Sequence, residues 1–233
     1  MNIKNAIIKS PGYVIVKIDN LKILDKLKNK FSKKLKLNVA TNNFDDLRVK
    51  MTSMSKSEIN NIMIKLLSFS EAAEMMFDAF KVQIKKLAGN EIFLQRRANT
   101  IFNIPGKNQR RQWPHYELMS GISPFTFVLW APFHDLDDDG GIFYIDQKRS
   151  FRIIKKEHAK GLVNGPTILN MKFNEKPIKL KYGEAIIFNP FILHGNVNFN
   201  SKKARMACSI RFQSAKHPLM QKNSDFFKYK KIS

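Results

Sequence analysis

Three side chains of this chain can hold a single metal ion. His115 and Glu117 stand two positions apart in Pro114-His115-Tyr116-Glu117, and His194 answers them far downstream, with Arg205 after it. Two imidazoles and one carboxylate can hold one face of an octahedral iron and leave the other face open. A guanidinium shortly after the second histidine can grip a dicarboxylate beside that metal. Together they suggest Fe(II) oxygenase chemistry that consumes 2-oxoglutarate. On a strand, a spacing of two points both side chains to one face, so His115 and Glu117 are expected side by side on one strand. His194 must come from another strand. It ends the apolar run Ala185 to Leu193, and Gly195 lets the chain turn away.

An isolated His-x-Glu arises often by chance. Taken alone, His115 reads as part of a surface Gln-Trp-Pro-His loop and His194 as a satisfied core histidine. The distal histidine and Arg205, in a β-rich context, are what favour a metal site. The other histidines fit worse. His134 and Asp137 have the wrong spacing for one strand face, His158 lies in a Lys/Glu-rich helical or loop segment, and His217 precedes Pro218. Each of these three reads as a solvated side chain.

The elements that must position the triad divide the chain in two. Gly12 to Ile18 is β-branched and reads as a strand. Asp19 or Asn20 can cap the next segment, where Leu24, Leu27 and Phe31 keep helical spacing. Asn38 to Lys50 is polar and loop-like. Ser68 to Glu71 has the form of a capping box, and behind it Ala73, Phe77, Phe80, Ile84 and Leu87 make one apolar helical face that Gly89-Asn90 stops. From Glu91 onward, short strand-like runs alternate with turn signals at Ile104 to Gly106, Asp137 to Gly141, Asn164 to Pro166 and Tyr182-Gly183. That pattern predicts an antiparallel sandwich or jelly roll.

Two strands are clearest. Arg205, Ala207, Ser209 and Arg211 share one face, with Met206, Cys208, Ile210 and Phe212 on the other. The polar face is costly to bury unless it lines a cavity. In Phe125 to Ala131, Thr126, Val128 and Trp130 oppose Phe125, Phe127, Leu129 and Ala131. The expected plan is mainly β with flanking α-helices. One domain spans 1–233: a mostly helical scaffold over 1–90, a β-roll over 91–213 and a basic tail over 214–233.

Composition sets outer bounds. The chain has 233 residues and is 43% hydrophobic, enough for a real core. No run of eighteen apolar residues occurs, so no spanning helix is expected, and the N-terminus lacks the pattern of a signal peptide. The single cysteine, Cys208, excludes an internal disulfide, and a reducing cytoplasm suits both it and ferrous iron. The net charge of +22 admits a nucleic-acid partner. However, the lysines are spread along the chain, and no basic block alternates with aromatics as a base-stacking surface would. Compositional drift is the simpler reading, and an anionic small substrate fits both.

At these residues the sequence resembles the phytanoyl-CoA dioxygenase-like family of Fe(II)/2-oxoglutarate oxygenases, most of all its bacterial members from antibiotic and carbohydrate biosynthesis clusters. The resemblance spans about Gly12 to Gln213. It is carried by Pro114 to Glu117, by Trp130-Ala-Pro-Phe-His-Asp-Leu-Asp-Asp-Asp-Gly-Gly141 running into Ile142-Phe-Tyr-Ile145, and by His194 to Ser201 with Arg205 and Ser209-Ile-Arg-Phe212. The spacing from His194 to Arg205 matches the family's.

The resemblance implies a double-stranded β-helix with helices outside it, and iron on His115, Glu117 and His194. It implies that Arg205 pairs with the far carboxylate of 2-oxoglutarate, with Ser209, Trp130 and Asn196 beside the cosubstrate. Arg211 shares the Arg205 face and is the rival anchor; otherwise it is a charge at the rim of the roll. Glu117 departs from the family's usual aspartate but remains a carboxylate, which argues against a halogenase. Asp146 to Ser150 lacks the usual Pro-Gly-Ser-His ending, which puts the lid and substrate contacts in question.

The implied reaction hydroxylates an unactivated C–H of a small metabolite, with a carbohydrate or nucleotide-sugar derivative the favoured class, and it uses dioxygen and no side-chain general base. Two alternatives come from other classes. One is a basic nucleic-acid-binding protein on a catalytically decayed β-roll, or an oxygenase directed at nucleic acid. The other is a non-oxidative cupin-like metal protein, which would not need Arg205.

Overall fold

The computed structural model describes residues 3–34, 44–67, 69–105, 114–137, 142–160, 175–196, 202–220 and 225–232. The first part of the chain is helical around a single strand. Helix α1 (Ile3–Ile8) leads into β1 (Tyr13–Lys17), followed by α2 (Leu21–Lys34), α3 (Phe44–Ser53), α4 (Lys56–Leu67), α5 (Glu71–Ala79) and α6 (Lys81–Ala88). Strands then dominate: β2 (Glu91–Gln95), β3 (Asn99–Asn103), β4 (Phe127–Pro132) and β5 (Ile142–Tyr144). After helix α7 (Gln147–Ala159) come β6 (Glu184–Phe188), β7 (His194–Asn196), β8 (Arg205–Ser214) and β9 (Phe227–Lys231).

The large sheet is antiparallel and runs β1-β6-β4-β8-β2-β9, with β3 also pairing along β8. A smaller sheet pairs β5 with β7. This is the jelly-roll, cupin-like plan that the strand and turn pattern predicts.

Alternation along β8 and β4 separates two cores. Met206, Cys208, Ile210 and Phe212 pack with Leu129 and Ala131 against the buried faces of α2, α5 and α6, including Leu24, Leu27, Phe31, Phe77 and Ile84. The opposite face turns inward. Val128, Trp130, Ile186, Phe188 and Ala207 meet Ile142 and Tyr144 of the small sheet. One face of β8 is therefore anchored to the helical scaffold, which fixes where its polar face points.

Several local expectations are corrected. The segment read as a loop, 38–50, carries helix α3 from Phe44 on, and its earlier part lies outside the described residues. The apolar face from Ala73 to Leu87 belongs to two helices, because the backbone breaks at Phe80 (φ −126°, ψ 25°). Asp19 does not cap α2. Its carboxylate accepts from Val82 N (2.8 Å) and the Gln83 side chain (3.2 Å), so it caps α6 instead.

Ser68 lies outside the described residues, but a reciprocal capping box forms upstream. Ser55 Oγ accepts from Glu58 N, and Glu58 Oε2 accepts from Ser55 N. Gly89 does end α6, with φ +84°. The turn signals at Asp138 to Gly141 and Asn164 to Pro166 lie outside the described residues. The C-terminal stretch read as a tail contributes β9, which pairs with β2 from Glu91↔Lys231 to Gln95↔Phe227. No described helix is long and apolar enough to cross a membrane.

Candidate metal centre

His115 and Glu117 do not lie on one strand. His115 forms an isolated antiparallel bridge with His194: His115 N donates to His194 O (2.9 Å), and His194 N donates to His115 O (3.0 Å). The chain then turns, and Glu117 opens a single 3-10 turn, Glu117–Ser120. His194 is also displaced from its expected place. The apolar run breaks after β6, and His194 begins the separate strand β7. The backbone bridge brings the two imidazoles to 4.2 Å between ring centroids, and the turn swings Glu117 under them. One ligand atom from each of His115, Glu117 and His194 lies within 4.8 Å of the others.

The protonation pattern suits a cation. His194 Nδ1 lies 2.9 Å from Ile192 O. A carbonyl can only accept, so Nδ1 carries the proton and Nε2 presents its lone pair. That Nε2 is 3.7 Å from Glu117 Oε1. Burial, with His115 nearby, lowers His194 to about 3, so the ring is neutral at physiological pH. Burial alone would raise the Glu117 carboxyl, but Arg211, His194 and His115 outweigh it and hold it below the usual carboxylate range. Two imidazoles and one ionised carboxylate, with ligand atoms close enough to reach one ion, fit Fe(II).

Arg211 is neither at the rim nor facing an empty subsite. Its Nε (2.9 Å) and Nη2 (2.5 Å) both donate to Glu117 Oε2. Gln95 Oε1 accepts from Arg211 N (2.9 Å) and Nη1 (3.4 Å). One Glu117 oxygen is thus held by the protein, and the other faces the histidines. The sequence placed Arg211 on the inner face but could not show that its partner was Glu117.

Arg205 lies at the other end of that face and is fully buried. Its Nη2 donates to Asn196 Oδ1 at 2.7 Å, and its guanidinium carbon lies 5.9 Å from the Trp130 ring centre. Burial lowers it to about 10, so it remains a cation. Ser209 is buried on the same face, opposite Trp130 in the β8–β4 register. Arg205 thus meets Asn196 and Trp130, Ser209 shares its strand face, and Asn196 stands two residues from His194 on β7.

Tyr144 was not singled out from the sequence. It pairs with His194 across β5 and β7 and stacks on its ring at 5.5 Å and 15°. The strand alternation that puts Ile142 inward also puts Tyr144 inward, and that was the available signal.

The remaining histidines behave differently from one another. His134 is buried rather than solvated: Nδ1 donates to Asp135 O (2.7 Å), so Nε2 accepts from Met206 N (3.2 Å). Burial, with Arg48 nearby, lowers it to about 4. His158 and His217 are exposed; His158 meets the Tyr116 hydroxyl at 3.1 Å, and His217 stacks on Phe125.

No protein-family model matches the sequence, and no curated protein matches it. Solved structures do. The chain is similar to a non-heme monooxygenase, ThoJ, in its nickel complex, with TM-score 0.53 and 12% identity, over 87% of this chain and 74% of that one. It is similar to CytC3 with Fe(II) and alpha-ketoglutarate, with TM-score 0.50 and 17% identity, over 91% and 76%. It is also similar to HygX from Streptomyces hygroscopicus with nickel and 2-oxoglutarate bound, with TM-score 0.51 and 9% identity, over 92% and 87%. At these identities the likeness shows the fold, the one expected from the sequence.

Proposed function

We propose that this jelly roll is an Fe(II)- and 2-oxoglutarate-dependent oxygenase that hydroxylates an unactivated C–H of a small metabolite. The carrying observation is the convergence of half-buried His115 with buried Glu117 and His194, ligand atoms within 4.8 Å of one another, in a fold where Arg205 is buried on the same β8 face as Arg211, the partner of Glu117. The fold is shared with proteins solved with iron or nickel and 2-oxoglutarate, which supports the reading. When bound, Fe(II) with 2-oxoglutarate and dioxygen supplies an oxidant strong enough for an unactivated C–H.

The chain's own residues hold and shield that chemistry. Ile192 O fixes the proton on His194 Nδ1 and so aims Nε2 at the metal. Arg211 holds one oxygen of Glu117 and leaves the other to ligate. Arg205 offers a planar fork to the far carboxylate of the cosubstrate, with Ser209, Asn196 and the Trp130 ring forming that end of the pocket. Val128, Ile186 and Phe188 keep the interior dry. No side chain is asked to act as a general base.

The substrate class we propose is anionic, with phosphorylated or nucleotide-linked carbohydrates the first to try. Helix α7 supports this. It follows β5 directly and exposes Lys148, Arg149, Arg152, Lys155 and Lys156. It is tied to the metal loop through His158 and Tyr116, and Ser150 Oγ, which accepts from Leu193 N at 3.0 Å, tethers it to the residue just before β7. A basic helix beside the site raises the local concentration of anions. The proposed location is the cytoplasm, where Cys208, a buried thiol whose pKa burial pushes up, stays reduced.

Anaerobic titration of metal-free protein with Fe(II) and 2-oxoglutarate tests the assignment. The expected result is a weak visible charge-transfer band, absent in His194→Ala and weakened in Arg205→Ala. No band in the wild type would sink it and turn attention to salt-dependent DNA binding. Robust turnover of acyl-CoA, with none on sugar derivatives, would overturn the substrate class.

A further inference from the structure

The assignments above leave Tyr144 unused. Its hydroxyl is buried and has no hydrogen-bond partner among the described residues. Such a group is destabilising unless something else completes it. The ring itself is well placed: it stacks on His194 and meets Phe188 edge-on at 5.2 Å. Phenylalanine would fill the same space without the orphaned hydroxyl, and this chain uses Phe 19 times and Tyr 5 times. The hydroxyl therefore has a task that packing does not explain.

Its charged surroundings indicate which task. Arg205 and Glu117 act on it electrostatically, and burial pushes its pKa well above the usual phenol range, so it remains a donor. A second donor nearby is in the same state. Asn196 Nδ2 is buried without a partner among the described residues, while its Oδ1 accepts from Arg205 Nη2. Tyr144 and Asn196 belong to the same short β5–β7 ladder, opposite His194 and Ile142 respectively, and Asn196 in turn meets Arg205; one acceptor-only group bound there can satisfy the phenol, the amide N–H and the guanidinium together. A carboxylate is such a group.

We propose that Tyr144 donates to the far carboxylate of 2-oxoglutarate, completing with Asn196 and Arg205 a three-donor pocket that selects a dicarboxylate over a monocarboxylate keto acid. The inference rests on the function proposed above. It assigns Tyr144 to cosubstrate binding and not to the reacting atoms.

The test is anaerobic calorimetric and spectroscopic titration of the Fe(II)-loaded wild type and Tyr144→Phe. Two acids are compared: 2-oxoglutarate, and 2-oxopentanoate, which has the same keto end but a methyl in place of the far carboxylate. Tyr144→Phe is expected to weaken 2-oxoglutarate about 10- to 100-fold, the usual worth of a hydrogen bond to a charged group. It should leave Fe(II) affinity and 2-oxopentanoate binding unchanged. Unchanged 2-oxoglutarate affinity in the variant overturns the inference alone, as does an equal loss for both acids, which would trace to the ring against His194. Absence of any wild-type band overturns the functional reading, and this inference with it.

Discussion

The inner face of β8 carries two buried arginines whose surroundings are opposite in kind. Arg211 spends its fork on Glu117 and draws Gln95 in behind it. Arg205, on the same face, is set among an amide, an indole and a phenol. A ligand carboxylate brought to Arg211 would meet one already held, whereas at Arg205 it would meet donors. The sequence favoured Arg205 as the anchor and kept Arg211 as its rival; their surroundings set them apart. In the proposed function, Arg211 positions a metal ligand and Arg205 binds the cosubstrate.

The sharpest break is to remove the carboxylate. Glu117→Ala leaves Arg211 buried without its counter-charge, a loss of about 3–5 kcal/mol in pairs of this kind. Denaturant unfolding of metal-free protein should show that drop, and Fe(II) should no longer bind. A wild-type-like midpoint would mean that the pair adds nothing to the fold.

A matched pair of substitutions separates the two ends. Arg205→Lys keeps the charge and loses the fork. It should weaken 2-oxoglutarate by up to about 100-fold with Fe(II) affinity intact. Arg211→Lys should do the reverse, lowering Fe(II) affinity by about 10- to 100-fold. Identical titration profiles would erase the distinction.

Glu117→Asp restores the residue usual in the resembled family, yet its side chain is one methylene shorter and cannot serve both Arg211 and the metal from this turn. Fe(II) should bind about ten-fold more weakly, and equal or tighter binding would show that Arg211 does not fix the ligand.

A pH dependence bears on the Arg205 end. His134 titrates near 6.5 when unfolded and about 4 when folded. Between those values the unfolded chain binds the extra proton. Stability is full above pH 6.5 and falls toward pH 4, by up to about 1.4 kcal/mol per pH unit. His194, at about 3, adds its own slope in metal-free protein. His134→Gln keeps an acceptor for Met206 N and should flatten part of that slope in urea unfolding between pH 4 and 6.5.

What was legible in the sequence followed from local periodicity. The two faces of β8 came from alternation alone, as did the Leu24-Leu27-Phe31 stripe. The triad came from residue types and spacing. Its geometry did not, because the His115–His194 bridge is a long-range pairing and the 3-10 turn at Glu117 is set by that bridge. Arg211 was illegible for the same reason: alternation says which way a side chain faces and is silent about what waits there. Helix α7 was legible only in part, as a Lys/Glu-rich stretch around His158 that read as helix or loop. Its start at Asp146, whose carboxylate accepts from Arg149 N at 3.1 Å, is an ordinary N-cap that interrupts the roll.

Strand β9 ends the hydrogen-bonded order of the large sheet, and its sequence is Phe-Lys-Tyr-Lys-Lys. An open strand edge is a template on which a second molecule can polymerise. Here Glu74 tethers Lys228 and Lys230 to the scaffold, and Lys231 stays exposed. Any copy that tried to extend the sheet through the same edge would bring a like-charged row against this one. Part of the large positive charge, whatever it does for a substrate, therefore acts at this edge as protection against fibrillar self-association.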